Sequence, residues 1–233
     1  MKSQVQGFFH ADFAEPAEFK PYFHQSGFTY PTMHIIKMGE PSLISKAKWG
    51  FVPEWGRGDV AGFRKKYNTL NIRSENLFSG ISRDSVHTNR CLIIADGFFE
   101  PHSHGGQSVP YFCYIPTTSF EDGRDLFAFA GIYSDLNKET NTSTFSLLTM
   151  EANPFFRQVH NVKKRQPLVL DKGLYAEWFN PDLKEKDIAE LMKNGFTSKP
   201  FNAHPVSPNL YRRDLDTNMA ETLHEYPLPG LLF

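Results

Sequence analysis

Cysteine is scarce in this chain of 233 residues: Cys91 and Cys113 are its two thiols, each inside an apolar run and without CxxC spacing. That pattern argues against a disulfide framework or a zinc cluster and suits a reducing interior. The histidines show no HxxxH or HExxH spacing, so no metal site is expected. An excess of either charge is missing too. With 25 Lys plus Arg against 26 Asp plus Glu, the formal charge is −1. This is no tail-type binder of polyanions, and any nucleic-acid contact has to be a local groove. No apolar run approaches the ~20 residues of a transmembrane helix. The opening MKSQVQGFFHADF also lacks the continuous apolar stretch of a signal peptide. The expectation is a cytoplasmic protein with no membrane partner, no obligate protein partner evident and no cofactor. Internal repeats and low-complexity tracts are lacking as well.

What the chain has in quantity is aromatic residues. The 22 Phe and nine Tyr favour strands, while 16 Pro and 16 Gly punctuate it too often for a helical bundle. At 40% hydrophobic content it can bury one sizeable core. We expect an α+β, β-dominated single domain over residues 1–233. Its sheet should be closed or nearly closed, mixed or antiparallel and barrel-like, with a few short helices and a polar, Pro-rich tail over about 212–233. Strand-like runs are Met33 to Lys37, Leu43 to Val52, Arg90 to Phe99, Tyr111 to Ile115, Leu126 to Tyr133, Thr144 to Met150 and Pro167 to Leu170. Helical spacing marks Gln4 to Ala14, ended by Pro16. Asn153-Pro154 opens a second helix over Phe155 to His160, and Asn180-Pro181 a third that Gly195 should stop. A polar connection is expected between Gly56 and Leu70, and His102 and His104 should lie in an exposed Gly-Gly loop.

Four segments carry polar groups where packing alone would suffice. The first, Trp49-Gly50-Phe51-Val52-Pro53-Glu54-Trp55, ends a strand with a turn; beyond simple packing, Trp49 or Trp55 could stack on a nucleic-acid base, a contact worth ~1–3 kcal/mol. In Asn71-Ile72-Arg73-Ser74-Glu75, alternation along an extended chain sends Asn71, Arg73 and Glu75 to one face. That face is either a solvated edge or a positioned amide with a guanidinium for phosphate. The third, Arg90 to Glu100, is an apolar strand interrupted by Asp96-Gly97 that delivers a carboxylate beside Phe98 and Phe99. Burial against aromatic walls would raise the pKa of Glu100 toward the range of general acid–base catalysis. In the fourth, His160 ends a capped helix and is followed by Lys163, Lys164 and Arg165, a basic cluster able to hold backbone phosphates.

Taken in order, these segments resemble the SOS-response-associated peptidase (SRAP) family. WGFVPEW is similar to that family's Trp-Gly-Leu-Ile-Pro-x-Trp, NIRSE to Asn-Ala-Arg-Ser/Ala-Glu, and RCLIIADGFFE to Arg-Cys-Leu-Ile-Pro-Ala-x-Gly-Phe-Tyr-Glu. FAGIY, TMEAN, HNVKKRQP and PVSPN extend the likeness from about Lys48 to Asn209. The resemblance implies a protein that engages single-stranded DNA at abasic sites. In the family, removal of the initiator methionine exposes a cysteine at position two. Its amine condenses with the ring-opened abasic aldehyde to an imine, and its thiol closes a thiazolidine, leaving a DNA–protein crosslink. An α-amine with a pKa near ~8 is partly neutral in the cell, and a thiol on the same residue makes the second attack intramolecular. By position, Asn71 matches the amide that orients the N-terminal residue, Glu100 the acid/base carboxylate and His160 the histidine near the deoxyribose. Arg73 matches a DNA-backbone contact. The resemblance also implies a self-processing peptidase activity that uses Glu100.

The chain departs from the family at its start, Met1-Lys2-Ser3, with no cysteine before Cys91. Two explanations stand open. The preferred one is a start codon assigned too late, because Val5 to Ala14 reads like the family's first helix and the cysteine-bearing strand should precede it by roughly ten residues. The alternative is a non-covalent single-strand binding module without crosslinking activity, limited to a reversible imine through its α-amine. A second departure is Gln166, where the family usually has methionine. A housekeeping protease is disfavoured, since no Ser-His-Asp order is visible.

Overall fold

The computed structural model describes residues 1–137, 142–194 and 196–227; Gly195, expected to stop the last helix, and residues 228–233 of the expected tail lie outside them. The helices are α1 (Lys2–Phe9), α2 (Val60–Lys66), α3 (Pro154–Val159), α4 (Tyr175–Trp178) and α5 (Glu185–Asn194). The strands are β1 (Asp12–Phe13), β2 (Thr32–Lys37), β3 (Leu43–Trp49), β4 (Asn71–Arg73), β5 (Arg90–Ala95), β6 (Phe98–His104), β7 (Gln107–Tyr114), β8 (Phe127–Asn137), β9 (Thr142–Glu151), β10 (Arg165–Pro167), β11 (Val169–Leu170) and β12 (Asn202–Pro205).

Strands β3, β2, β5, β8 and β9 pair in that order, each with the next antiparallel, and β9 returns to β3. A ring with an odd number of strands cannot alternate direction all the way round, so one junction has to be parallel. It is β3–β9, with Lys48 against Thr144 and Trp49 against Phe145. Side chains alternate across a closed sheet. Ile35, Ala47, Cys91, Ile93, Phe129 and Phe145, drawn from all five strands, form one apolar cluster, the barrel interior. The intervening positions Ile36, Ile44, Leu92, Ala130 and Leu148 gather with Val5 and Phe9 of α1, Trp178 of α4 and Ile188 and Leu191 of α5. Helices do not fit inside a five-stranded ring, so this second cluster is the outer face. The expected α+β architecture with a closed, strand-dominated sheet is therefore the one that forms.

The run expected as one strand, Arg90 to Phe99, is two. It breaks at Asp96-Gly97, and β6 leaves the barrel to pair with β7, which pairs with β12 on its other edge, in a separate antiparallel sheet. Gly97 makes the crossing possible: a Cβ there would lie 2.3 Å from the Phe112 ring. His102 and His104 both belong to β6, and the turn is Gly105-Gly106, each at positive φ, so the two histidines are not in the loop. The first helix ends early, at left-handed His10, because Asp12 and Phe13 pair with Leu43 and Ile44 of β3. Strand β3 stops at Trp49, where Gly50 takes a φ of 102° under the Tyr30 ring. Helix α2 occupies the expected polar connection. Asp59 caps it by accepting from the Gly62 N–H, and only Phe63 is buried, so no apolar period announced it. Pro167 to Leu170 is likewise split, β10 lying on β9 and β11 on β8.

Arg90 is wholly buried without a carboxylate partner among the described residues. Its guanidinium donates to the carbonyls of Val86 (2.7 Å), His87 (3.1 Å), Trp178 (2.7 Å) and Asn180 (2.6 Å), tying two loops to the end of β5. The polar tail is docked where it is described: Asn218 Oδ1 accepts from the N–H groups of Phe23 and His24, and the Tyr226 N–H donates to Pro205 O. Among the described residues no helix is long and apolar enough to cross a membrane.

Candidate active site

The crossing at Gly97 carries Glu100 out on β6, opposite Tyr111 of β7. From the other side comes α3. Asn153 Oδ1 accepts from the Phe156 N–H, Pro154 occupies the first turn, and the helix ends at His160. Glu100 Oε2 and His160 Nδ1 meet at 2.8 Å, with side chains only 12% and 11% exposed. Burial pushes the Glu100 carboxyl above its ordinary value, and the hydrogen bond from His160 offsets part of that rise. His160 Nδ1 also lies 3.1 Å from the carbonyl of Arg165. A carbonyl can only accept, so both contacts are satisfied when Nδ1 carries a proton, and Nε2 takes part in neither.

Strand β9 gathers the remaining residues. Along one edge it leaves β3 for β4, pairing Asn71, Ile72 and Arg73 with Leu147, Leu148 and Thr149. Along the other it leaves β8 for β10, pairing Arg165 with Glu151 and Pro167 with Thr149. Arg165 reaches back across β9: its guanidinium meets Glu75 at 2.6 and 3.0 Å and donates to Thr149 O at 2.8 Å. Glu100, His160, Arg165 and Glu75 thus form one connected polar line, with the backbone of Arg165 holding the histidine and its side chain holding the carboxylate. Asn71 and Arg73 stand on the neighbouring strand. Their side chains are exposed and make no hydrogen bond to another described residue.

The other candidates divide. Lys163 and Lys164 are exposed in the turn after His160, which is closed by the Lys164 N–H on His160 O. Trp55 is 61% exposed, its indole braced edge-on by Phe63 and Tyr67. Trp49 turns inward: its N–H donates to Leu70 O at 2.7 Å and its ring stacks on Phe145. Cys91 and Cys113 are fully buried, and burial raises both thiols. Cavities of about 640 and 340 Å³ lie elsewhere, one beside His87 and Glu185, the other beside His34 and Lys46; Glu100 and His160 line neither.

Sequence reasoning missed Gln166 and His102. The departure to glutamine has a structural use, since Gln166 Oε1 accepts from the Asn153 N–H at 2.7 Å and steadies the start of α3. His102 was legible as the second residue after Glu100, hence on the same face of a strand.

The sequence matches the profile of the SOS response associated peptidase (SRAP) family over residues 2–212. The chain belongs to the SRAP family. Every residue of the site, from Trp49 to Gln166, falls within the SRAP match. Relatives include the abasic site processing protein YoqW of Bacillus subtilis, 26% identical over 191 residues that cover 79% of this chain and 80% of that protein. The abasic site processing protein YMR114C of Saccharomyces cerevisiae is 31% identical over 216 residues, 90% of this chain and 55% of the yeast protein. The abasic site processing protein HMCES of Gallus gallus is 29% identical over 71% of this chain and 53% of its own length. Among solved structures, a Bacteroides thetaiotaomicron protein superposes with a TM-score of 0.80 at 25% identity, covering 97% of this chain and 95% of the other. A Bordetella bronchiseptica protein shares the fold at a TM-score of 0.69 and 20% identity, covering 89% and 96%.

Proposed function

We propose that this SRAP protein engages single-stranded DNA at abasic sites, with Glu100 and His160 working on the deoxyribose. The observation that carries the reading is the buried Glu100–His160 contact at 2.8 Å, joined through Arg165 to β9, the strand that also pairs with β4 and its exposed Asn71 and Arg73. The names of the relatives point the same way.

The chemistry follows from the two groups. Condensation of an amine with the abasic aldehyde gives a carbinolamine, whose hydroxyl must be protonated to leave as water. A carboxyl raised by burial holds a proton closer to neutral pH than a solvated one and can deliver it there. With Nδ1 committed, His160 presents Nε2 as a proton acceptor at the opened sugar. Thiol attack on the resulting imine carbon, with a proton passing to nitrogen, closes the thiazolidine. Arg73, Lys163 and Lys164 would hold backbone phosphates, with Trp55 as a stacking platform. Self-processing would use the same carboxyl.

A second reading rests on the thiols. Cys91 and Cys113 are buried and raised, so neither supplies the nucleophile, and these described residues on their own support non-covalent binding or a reversible imine. Incubation of this chain, and of a form extended to an upstream Met-Cys, with an abasic oligonucleotide tests both readings on a denaturing gel. A crosslink only in the extended form supports the covalent function. No crosslink from either form, with retained DNA binding, leaves the binding module.

A further inference from the structure

Glu100 and His102 are two residues apart on β6, so both side chains leave the strand on one face, toward α3. Glu100 meets His160 there. His102 meets the residues just before it: its Nδ1 lies 2.9 Å from Val159 O and 3.1 Å from Gln158 O. Both partners are acceptors, so Nδ1 carries the proton. Ser103 adds two bonds to the residue just after His160. Its N–H donates to Asn161 Oδ1 at 2.8 Å, and its carbonyl accepts from Asn161 Nδ2 at 2.9 Å. Residues 158–161 are therefore fastened to β6 on both sides of His160.

A helix as short as α3 has no stability of its own, and its final carbonyls have no partner within it. Here His102 supplies one. The imidazole is buried, and the Tyr111 ring lies 4.8 Å from it, which limits its freedom to turn away. Tyr111 is also the residue paired with Glu100 across β6 and β7, so one strand pair sets the position of both Glu100 and His102.

We propose that His102 is a positioning residue. By holding the carbonyl end of α3 it keeps His160 Nδ1 on Glu100 and leaves Nε2 as the nitrogen that acts. This rests on the reading of Glu100 and His160 as the working pair, but its test needs no DNA, so the two can fail separately.

The experiment is ¹⁵N NMR of the histidine side chains in the full chain, comparing wild type with His102→Gln, whose amide can still donate, and His102→Leu, which cannot. Wild type and H102Q are expected to show His160 in a single tautomer protonated on Nδ1. H102L should lose that signature and show averaged tautomers. His160 signals in H102L identical to wild type would overturn the proposal. Should H102L fail to fold, the wild-type spectrum decides: His102 must itself be protonated on Nδ1, and a His102 protonated on Nε2 alone overturns the proposal without any variant.

Discussion

Glu100 and His160 come from different units of the fold, one from the small sheet and the other from the end of α3, and their side chains meet at 2.8 Å almost out of reach of water. Among the described residues the other imidazole–carboxylate pair, His87 with Glu185, is exposed to water. The consequences can be measured.

Because burial raises Glu100, the folded chain holds that proton more tightly than the unfolded chain does. Its contribution to stability is present below the ordinary carboxylate range and is lost as pH rises through the raised value. Glu100→Gln cannot ionise and should lack that loss. The melting temperature of the variant minus that of wild type should therefore climb from pH ~4 to neutrality. A difference that stays flat across that range would mean that Glu100 titrates as a solvated group.

Arg73→Ala should flatten the salt dependence of single-strand binding by about 0.7 in the log–log slope, the value of one phosphate contact. Lys163→Ala and Lys164→Ala should each do the same. Arg165→Ala should differ: its guanidinium is already held by Glu75 and Thr149, so the main effect should be on stability. A slope unchanged by Arg73→Ala would remove that residue from the DNA path.

Arg90→Lys should lower stability by about 3 kcal/mol or more, since hydrogen bonds to a charged group are worth ~1.5–3 kcal/mol each and an ammonium cannot reach four carbonyls. Denaturant titration measures this. A loss under about 1 kcal/mol would show that water can replace the guanidinium.

Neither cysteine should react with a thiol reagent at neutral pH while the chain is folded, because burial both hides and raises them. Both should label in denaturant. Rapid native labelling of Cys113 would reopen it as a nucleophile.

Strands that bury one or both faces were plain in the sequence, and so was α3, whose Asn153-Pro154 signal is local chemistry. Helix α2 was not, because it buries Phe63 alone and is held by the Asp59 cap rather than by an apolar stripe. The break at Gly97 was visible as a turn, but that the chain changes sheets there depends on Phe112, which is close in space and not in sequence. Asn71 and Arg73 could be singled out from alternation, Glu100 from the phenylalanines beside it, and His160 from the helix cap before it and the basic cluster after it. The inward turn of Trp49, the Arg165–Glu75 pair and the use of Gln166 depend on hydrogen-bond partners 13 to 90 residues away, which no local pattern reveals.

The most direct measurement is the single-turnover rate at which the Met-Cys-extended protein crosslinks an abasic single strand, compared with the same protein carrying Glu100→Gln. A general acid of this kind contributes at least about 100-fold, so the account predicts a loss of that order with the fold intact. Equal rates would contradict it and take the Glu100–His160 pair out of the chemistry.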